Sequence, residues 1–126
     1  METLHLSALE PHLAAQLLVG IEQHDPRGIL TRGDLAGIAN GGMCFAATTT
    51  KGQAVYVVSV KNGVAWIHAC KGTGPVPWRN LISPIVEAQA KGCKEVGFQT
   101  ARAGLKNAAL RQGYEVTGWI LRKKLA

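Results

Sequence analysis

The fold is decided by a hairpin pattern at residues 54–70, AVYVVSVKNGVAWIHAC. The pair Asn62-Gly63 is a strong hairpin signal, because both central residues of a type I′ turn need positive φ. The β-branched run before this pair and the apolar run after it therefore predict two antiparallel strands. The strand period of two predicts that Trp66, His68 and Cys70 lie on one face.

The residues before the hairpin predict a further strand and two helices. Residues 43–50 read as a strand, and a Lys51-Gly52 turn joins it to the hairpin as a three-stranded meander. Ser7-Ala8-Leu9-Glu10 matches a capping box, which predicts a helix that ends at Asp25-Pro26. A second, short helix is predicted from Thr31 to Asn40. The apolar stripe of the first helix is predicted to comprise Leu9, Leu13, Leu17 and Ile21, with Ala14 and Leu18 beside it.

The residues after the hairpin alternate between helix and strand patterns. Residues 71–77 are a Gly/Pro loop, and the helix that follows ends at Lys91-Gly92. Pro84 leaves two alternatives: the helix contains a proline, or Ser83 is an N-cap with Pro84 as the first helical residue. The remaining elements are predicted as a strand over 94–100, a helix over 104–112 and a strand over 114–121.

This order, α-α-β-β-β-α-β-α-β, predicts an α/β (α+β) fold. The sheet is expected to be mixed and mostly antiparallel, with helices on both faces and at least one parallel crossover. A length of 126 residues and a hydrophobic content of 47% fit one domain spanning 1–126.

Composition excludes several classes of protein. Cys44, Cys70 and Cys93 are odd in number and lack C-x-x-C spacing, so we expect no disulfide framework and no metal. Neither a secretory signal nor a membrane span is expected, which predicts a soluble protein of the cytoplasm. The charge is −1 over residues 1–70 and +7 over residues 71–126, which sum to the net +6. The basic half would attract an anion, although a solvated basic surface explains the same charges.

The stretch Val64–Leu125 resembles the core of the GNAT acetyltransferase superfamily. The similarity lies in a strand that enters a glycine loop, in LISPIVEAQAKGCKEV at 81–96 and in QGYEVTG at 112–118. The chain most resembles small GNAT-like proteins of bacteriophages, which share a strand ending in Thr-x-Arg, here Thr100-Ala101-Arg102. The family's first strand is expected to be missing, apart from a stub at Thr3–Leu6.

The resemblance implies an acyl-CoA-dependent N-acyltransferase with acetyl-CoA as cofactor and an amine as acceptor. The family's pyrophosphate loop falls on residues 72–77, where Pro75 and Pro77 lack the N–H groups of a phosphate cradle. His68 is the candidate general base, because imidazole titrates near neutrality. The family's frequent tyrosine acid is replaced by Ala109. The predicted cofactor-binding residues are Gly72, Thr73, Gly74, Val76, Trp78, Arg79 and Arg102.

An alternative is a non-catalytic GNAT-like protein of a phage. Such a chain would act in virion or head assembly, or would bind DNA or a phage or host protein, and it could form homo-oligomers. On this interpretation the 72–77 loop is a plain strand-to-helix connection and His68 is a packing residue. Arg102 and Lys106 would then be a solvated helix start.

Overall fold

The computed structural model describes residues 3–24, 32–100 and 102–121, together with 123 and 125. The predicted helix end at Asp25-Pro26 and the predicted helix start at Thr31 lie outside these residues, as do Ala101, Arg122 and Lys124. The elements are β1 (His5–Leu9), α1 (Pro11–Leu17), a 3₁₀ turn (Ile21–His24), α2 (Arg32–Asn40), β2 (Met43–Thr48), β3 (Gln53–Lys61), β4 (Val64–Gly72), α3 (Trp78–Gln89), β5 (Glu95–Phe98) and α4 (Ala103–Arg111).

The strands form one five-stranded sheet in the order β1-β2-β3-β4-β5. The first four strands are antiparallel neighbours, and β5 lies parallel to β4 after the α3 crossover. Asn62 and Gly63 have φ values of 54° and 78°, as the predicted type I′ turn requires. The meander and the parallel crossover are therefore confirmed, and with them the mixed, mostly antiparallel fold class.

A hydrophobic cluster lies on each face of the sheet. On one face, α1 and α2 cover β2, β3 and β4, and the cluster is centred on Leu18, Leu35 and Val57. On the other face α3 covers the same strands through Trp78 and Val86. The prediction of helices on both faces of the sheet is therefore confirmed. Within the described residues no helix is long and apolar enough to cross a bilayer.

The N-terminal prediction was wrong in two respects. Ser7 lies in β1, which pairs with β2, so the family's first strand is present and the capping box is not formed. Instead α1 begins at Pro11, whose missing N–H costs nothing at that position. The buried side of α1 is Ala14, while Leu13 of the predicted stripe is 39% exposed. Leu9 and Ile21 of the stripe pack against the core cluster from outside α1, and Ala14 and Leu18 beside the stripe are fully buried.

The C-terminal half departs from the prediction at its end. Pro84 lies inside the continuous helix α3, which decides the alternative left open by the sequence, and Ser83 is no N-cap. The predicted final strand over 114–121 is wrong, because this segment has no strand partner in the described structure. Its Trp119 is 89% exposed. Strand-like alternation without a partner for the backbone groups does not make a strand.

Candidate functional site

The candidate site lies where β4 and β5 separate. The two strands pair from Val64–Glu95 to Ile67–Phe98 and no further, although β4 continues to Gly72. A pocket of about 160 Å³ opens beyond the last pair. Its lining residues are Ile21, Ile67, His68, Ala69, Cys70, Phe98, Gln99, Arg102 and Leu105.

A β-bulge in β4 shapes one wall of this pocket. The register with β3 shifts so that Val58 faces Ile67 while Val57 faces Ala69, which leaves His68 as the extra residue. The shift moves Cys70 to the face covered by α3, whereas Ala69 packs with α1 and α2. The prediction that His68 and Cys70 share a face with Trp66 was therefore wrong for Cys70, because a period of two fails across a bulge.

Cys70 is not a nucleophile at neutral pH. Burial raises the pKa of its thiol to about 12, so the thiolate is scarce. Its side chain packs with the α3 cluster, on the face opposite Ala69. A Cys–His pair for covalent catalysis is thus not built here.

His68 is exposed at the pocket wall and has one hydrogen-bond partner. Ser59 of β3 lies with its Oγ 2.5 Å from the His68 Nε2. Ser59 is paired across the ladder with Trp66, so the bond runs diagonally between the strands. The Ser59 side chain was missed by the sequence analysis, and its only signal was a hydroxyl inside a β-branched run.

Several backbone amides of the 72–77 loop and of Trp78 after it donate hydrogen bonds within the chain. Thr73 N–H donates to the Gln53 carbonyl over 2.9 Å. The N–H of Val76 donates to Gly74 O and that of Trp78 to Val76 O, both over 2.8 Å. The amides of three predicted cofactor-binding residues are therefore engaged within the chain.

Trp78 fills the inside of the loop. Its side chain is 7% exposed, and its Nε1 donates to the Thr73 carbonyl over 2.9 Å. A Cβ placed on Gly72 would come within 2.4 Å of the Trp78 Cδ1. On the other side, a Cβ on Gly74 would meet the Lys51 carbonyl oxygen at 2.0 Å. The loop is thus packed between α3 and the β2–β3 turn.

Two of the predicted cofactor-binding arginines lie at the start of α4. Arg102 is the N-cap residue of this helix and lines the pocket. The Nη1 of Arg79 lies 3.6 Å from the position of a Cβ on Gly104, in the first turn of the same helix. Both arginines are exposed. A helix N-terminus flanked by two guanidinium groups attracts anions.

The β5 side of the pocket is fixed by aromatic packing. Phe98 makes an edge-on contact with Tyr114, with ring centroids 5.4 Å apart. The Tyr114 hydroxyl lies 2.5 Å from Ser83 Oγ, and burial raises the pKa of Tyr114. Tyr114 therefore packs and remains protonated at neutral pH. The sequence analysis did not identify Phe98, Gln99 or Leu105 as site residues, because only the crossover brings them to β4.

No protein-family model and no curated protein matches the sequence. The chain is similar to the solved structure of aminoglycoside N-acetyltransferase AAC(6′)-Iy in complex with CoA. That match has a TM-score of 0.58 and 14% identity, and covers 99% of this chain and 96% of the other. A second structure of that enzyme, with the bisubstrate analog CoA-S-monomethyl-acetylneamine, gives a TM-score of 0.57 and 16% identity over 98% and 99%.

A protein from Xanthomonas campestris pv. campestris, named as an acetyltransferase of the GNAT family, is equally similar. Its TM-score is 0.58 at 12% identity, over 99% of this chain and 95% of the other. Identities this low establish a shared fold and leave activity to be argued from the site. The chain has the fold of the GNAT acetyltransferases.

Proposed function

We propose that the chain is an acyl-CoA-dependent N-acyltransferase. In this proposal the thioester end of acyl-CoA enters the gap between β4 and β5. The observation that carries the proposal is the pocket of about 160 Å³ at this strand separation. A cavity of about 150 Å³ is known to hold a benzene-sized molecule, so an acetyl thioester fits. The shared fold supports the proposal, since neighbours of this fold are N-acetyltransferases and one is solved with CoA.

The residues around the gap fit the cofactor at both of its ends. Beyond the Ile67–Phe98 pair, β4 is not joined to β5, so its backbone groups on that side face the pocket. Arg102, Arg79 and the start of α4 offer positive charge at the rim for phosphate groups. The loop amides of Thr73, Val76 and Trp78 are engaged, so side chains carry more of the phosphate binding than the family pattern implies.

Acyl-CoA, when bound, supplies the thioester whose acyl group passes to an amine. His68 stands at the pocket wall and accepts the proton that the amine loses. The pocket excludes part of the bulk water and keeps the amine near the imidazole. Ala109 stands where the family has a tyrosine acid and is buried, so water protonates the leaving thiolate.

Calorimetry with acetyl-CoA tests the binding half of the proposal. We expect a micromolar Kd that rises about tenfold in Arg102→Gln, because one charge-assisted contact is lost. Arg111→Gln is the matched control, since it removes the same charge from the far end of α4. Absence of heat at millimolar acetyl-CoA, or equal losses in both variants, would refute the proposed site.

Turnover with a panel of amines tests the chemical half. His68→Ala should lower kcat by about a hundredfold or more while leaving the Kd for acetyl-CoA unchanged. His12→Ala is the control, because His12 is an exposed imidazole on α1. Unchanged kcat in His68→Ala would remove this residue from the mechanism.

A second candidate, a non-catalytic GNAT-fold protein of a phage, is favoured by one observation. The loop between β4 and α3 is filled by Trp78 and bonded to itself, as expected of a plain connection. Such a protein would act in virion or head assembly, or through DNA or a partner protein. Tight DNA binding with a steep salt dependence, or stable oligomers by light scattering, together with no heat from acetyl-CoA, would support this candidate instead.

A further inference from the structure

The hydrogen bond between Ser59 and His68 joins β3 to the bulged residue of β4. In a regular antiparallel ladder, diagonal residues on one face have Cα atoms about 7–8 Å apart. The bulge leaves His68 without a residue opposite it, since Val57 already faces Ala69. The imidazole can therefore lean toward β3, where its Nε2 lies 2.5 Å from the Ser59 Oγ.

This contact gives the two nitrogens of the imidazole different roles, one as donor and one as acceptor. A neutral imidazole has one N–H donor and one lone pair. If Ser59 Oγ accepts the Nε2–H, the lone pair is left on Nδ1. The serine proton can then point to water, because the contact is exposed.

We infer that Ser59 is a positioning residue, which holds His68 in the Nε2–H form with Nδ1 available to the acceptor amine. The inference rests on the proposed function and deepens it. His68 is exposed, so its ring has little packing to fix its χ angles. The hydrogen bond across the bulge supplies the restraint that packing does not.

A pair of nearly isosteric variants tests this role. Ser59→Thr keeps the hydroxyl and Ser59→Val removes it, and both β-branched residues suit a strand position. We expect Thr to retain near wild-type kcat, and Val to lower kcat about tenfold with unchanged KM for acetyl-CoA. This loss is smaller than that of His68→Ala, because the base remains but is no longer oriented.

A readout independent of turnover is the pair of ring ¹⁵N chemical shifts of His68, measured through the carbon-bound ring protons and assigned by their absence in His68→Ala. We expect the ring ¹⁵N chemical shifts of the Nε2–H form in the wild type and in Ser59→Thr, and those of a mixture of the two neutral forms in Ser59→Val, because these shifts identify the protonated nitrogen even where its proton exchanges with water. An Nδ1–H form in the wild type overturns the inference whatever the activity. Full kcat in folded Ser59→Val also overturns it and makes the bond purely structural.

The two proposals fail differently. If the wild type transfers no acyl group to any amine while the ring ¹⁵N chemical shifts of His68 behave as expected, the proposed function is refuted and the catalytic role of Ser59 with it. If transfer occurs and the Ser59 variants are indistinguishable, only the positioning role is refuted. Unfolding curves for all three proteins establish that the variants are folded.

Discussion

Gly97 and Trp66 form the second-last ladder pair before the gap, and the coupling free energy between them can be measured. A Cβ on Gly97 would lie 2.7 Å from Trp66 Cζ3 and 3.0 Å from Cε3. Carbon atoms prefer separations of about 3.5–4.0 Å, so Gly97→Ala forces the indole away by close to an ångström. Overpacking of this kind costs about 1–3 kcal/mol.

The sign of the Gly97→Ala effect should reverse when the indole is removed. Gly97 is in a strand and is not among the glycines with positive φ, so alanine is allowed there. In a Trp66→Val background we therefore expect Gly97→Ala to stabilise by about 0.5 kcal/mol, through the unfolded chain. The coupling free energy is then about 1.5–3.5 kcal/mol, well above the error of additivity.

Urea unfolding followed by far-UV circular dichroism measures this cycle, because the tryptophan fluorescence signal itself changes when Trp66 is removed in half of the variants. Valine, like tryptophan, is favoured in strands, and it removes the six-membered ring that Gly97 faces. If Gly97→Ala has the same effect in both backgrounds to within about 0.5 kcal/mol, the packing of the indole on Gly97 is refuted.

Two further predictions concern stability. Burial raises the pKa of Cys70 and of Tyr56 to about 12, so the folded chain keeps protons that the unfolded chain releases. The free energy of unfolding is therefore at its full value below about pH 9 and falls as the pH rises toward 12. Cys70 accounts for about 1 kcal/mol of this fall by pH 10. The fall should be smaller in Cys70→Ser and unchanged in Cys93→Ser. Pro84→Ala should stabilise by about 1–2 kcal/mol in urea, because the helix interior regains an N–H and unfolded-state entropy offsets only part of the gain. An unchanged or lower free energy of unfolding would contradict this prediction. It would mean that packing contacts of the Pro84 ring stabilise the fold by at least the expected gain.

The meander was predictable because its signals are local. The turn Asn62-Gly63 fixes the chain reversal by its φ values, and the flanking β-branched runs supply the strands. The bulge at His68 has no such signal, since no glycine marks it and the register shift comes from the sheet as a whole. The bulge determines on which face of the sheet each of residues 67–70 lies. The strand period of two therefore predicted the wrong face for Cys70.

Elements at the sheet edges were the least predictable. The residues of β1 are mostly exposed and become a strand by pairing with β2, which a pattern read along the chain does not contain. Residues 114–121 have the alternation of a strand but no partner, so the same reasoning overpredicted there. Strand formation depends on a neighbour for the backbone groups, and neighbours are non-local.

The hydrogen-bonded loop and the start of α4 are two alternative positions for the phosphates of acyl-CoA. The free-energy costs of binding at these two positions differ. A phosphate cradle of amides would have to break the bonds of Thr73, Val76 and Trp78, at about 1 kcal/mol or more each. Displacing Trp78 would add the cost of exposing a side chain that is 7% exposed. Binding at the start of α4 requires neither, since Arg102 is already exposed at the pocket and Arg79 is exposed near Gly104 in the first turn of this helix. On the proposed function, the lower cost therefore favours the arginines over the loop amides as contacts for the phosphates of acyl-CoA.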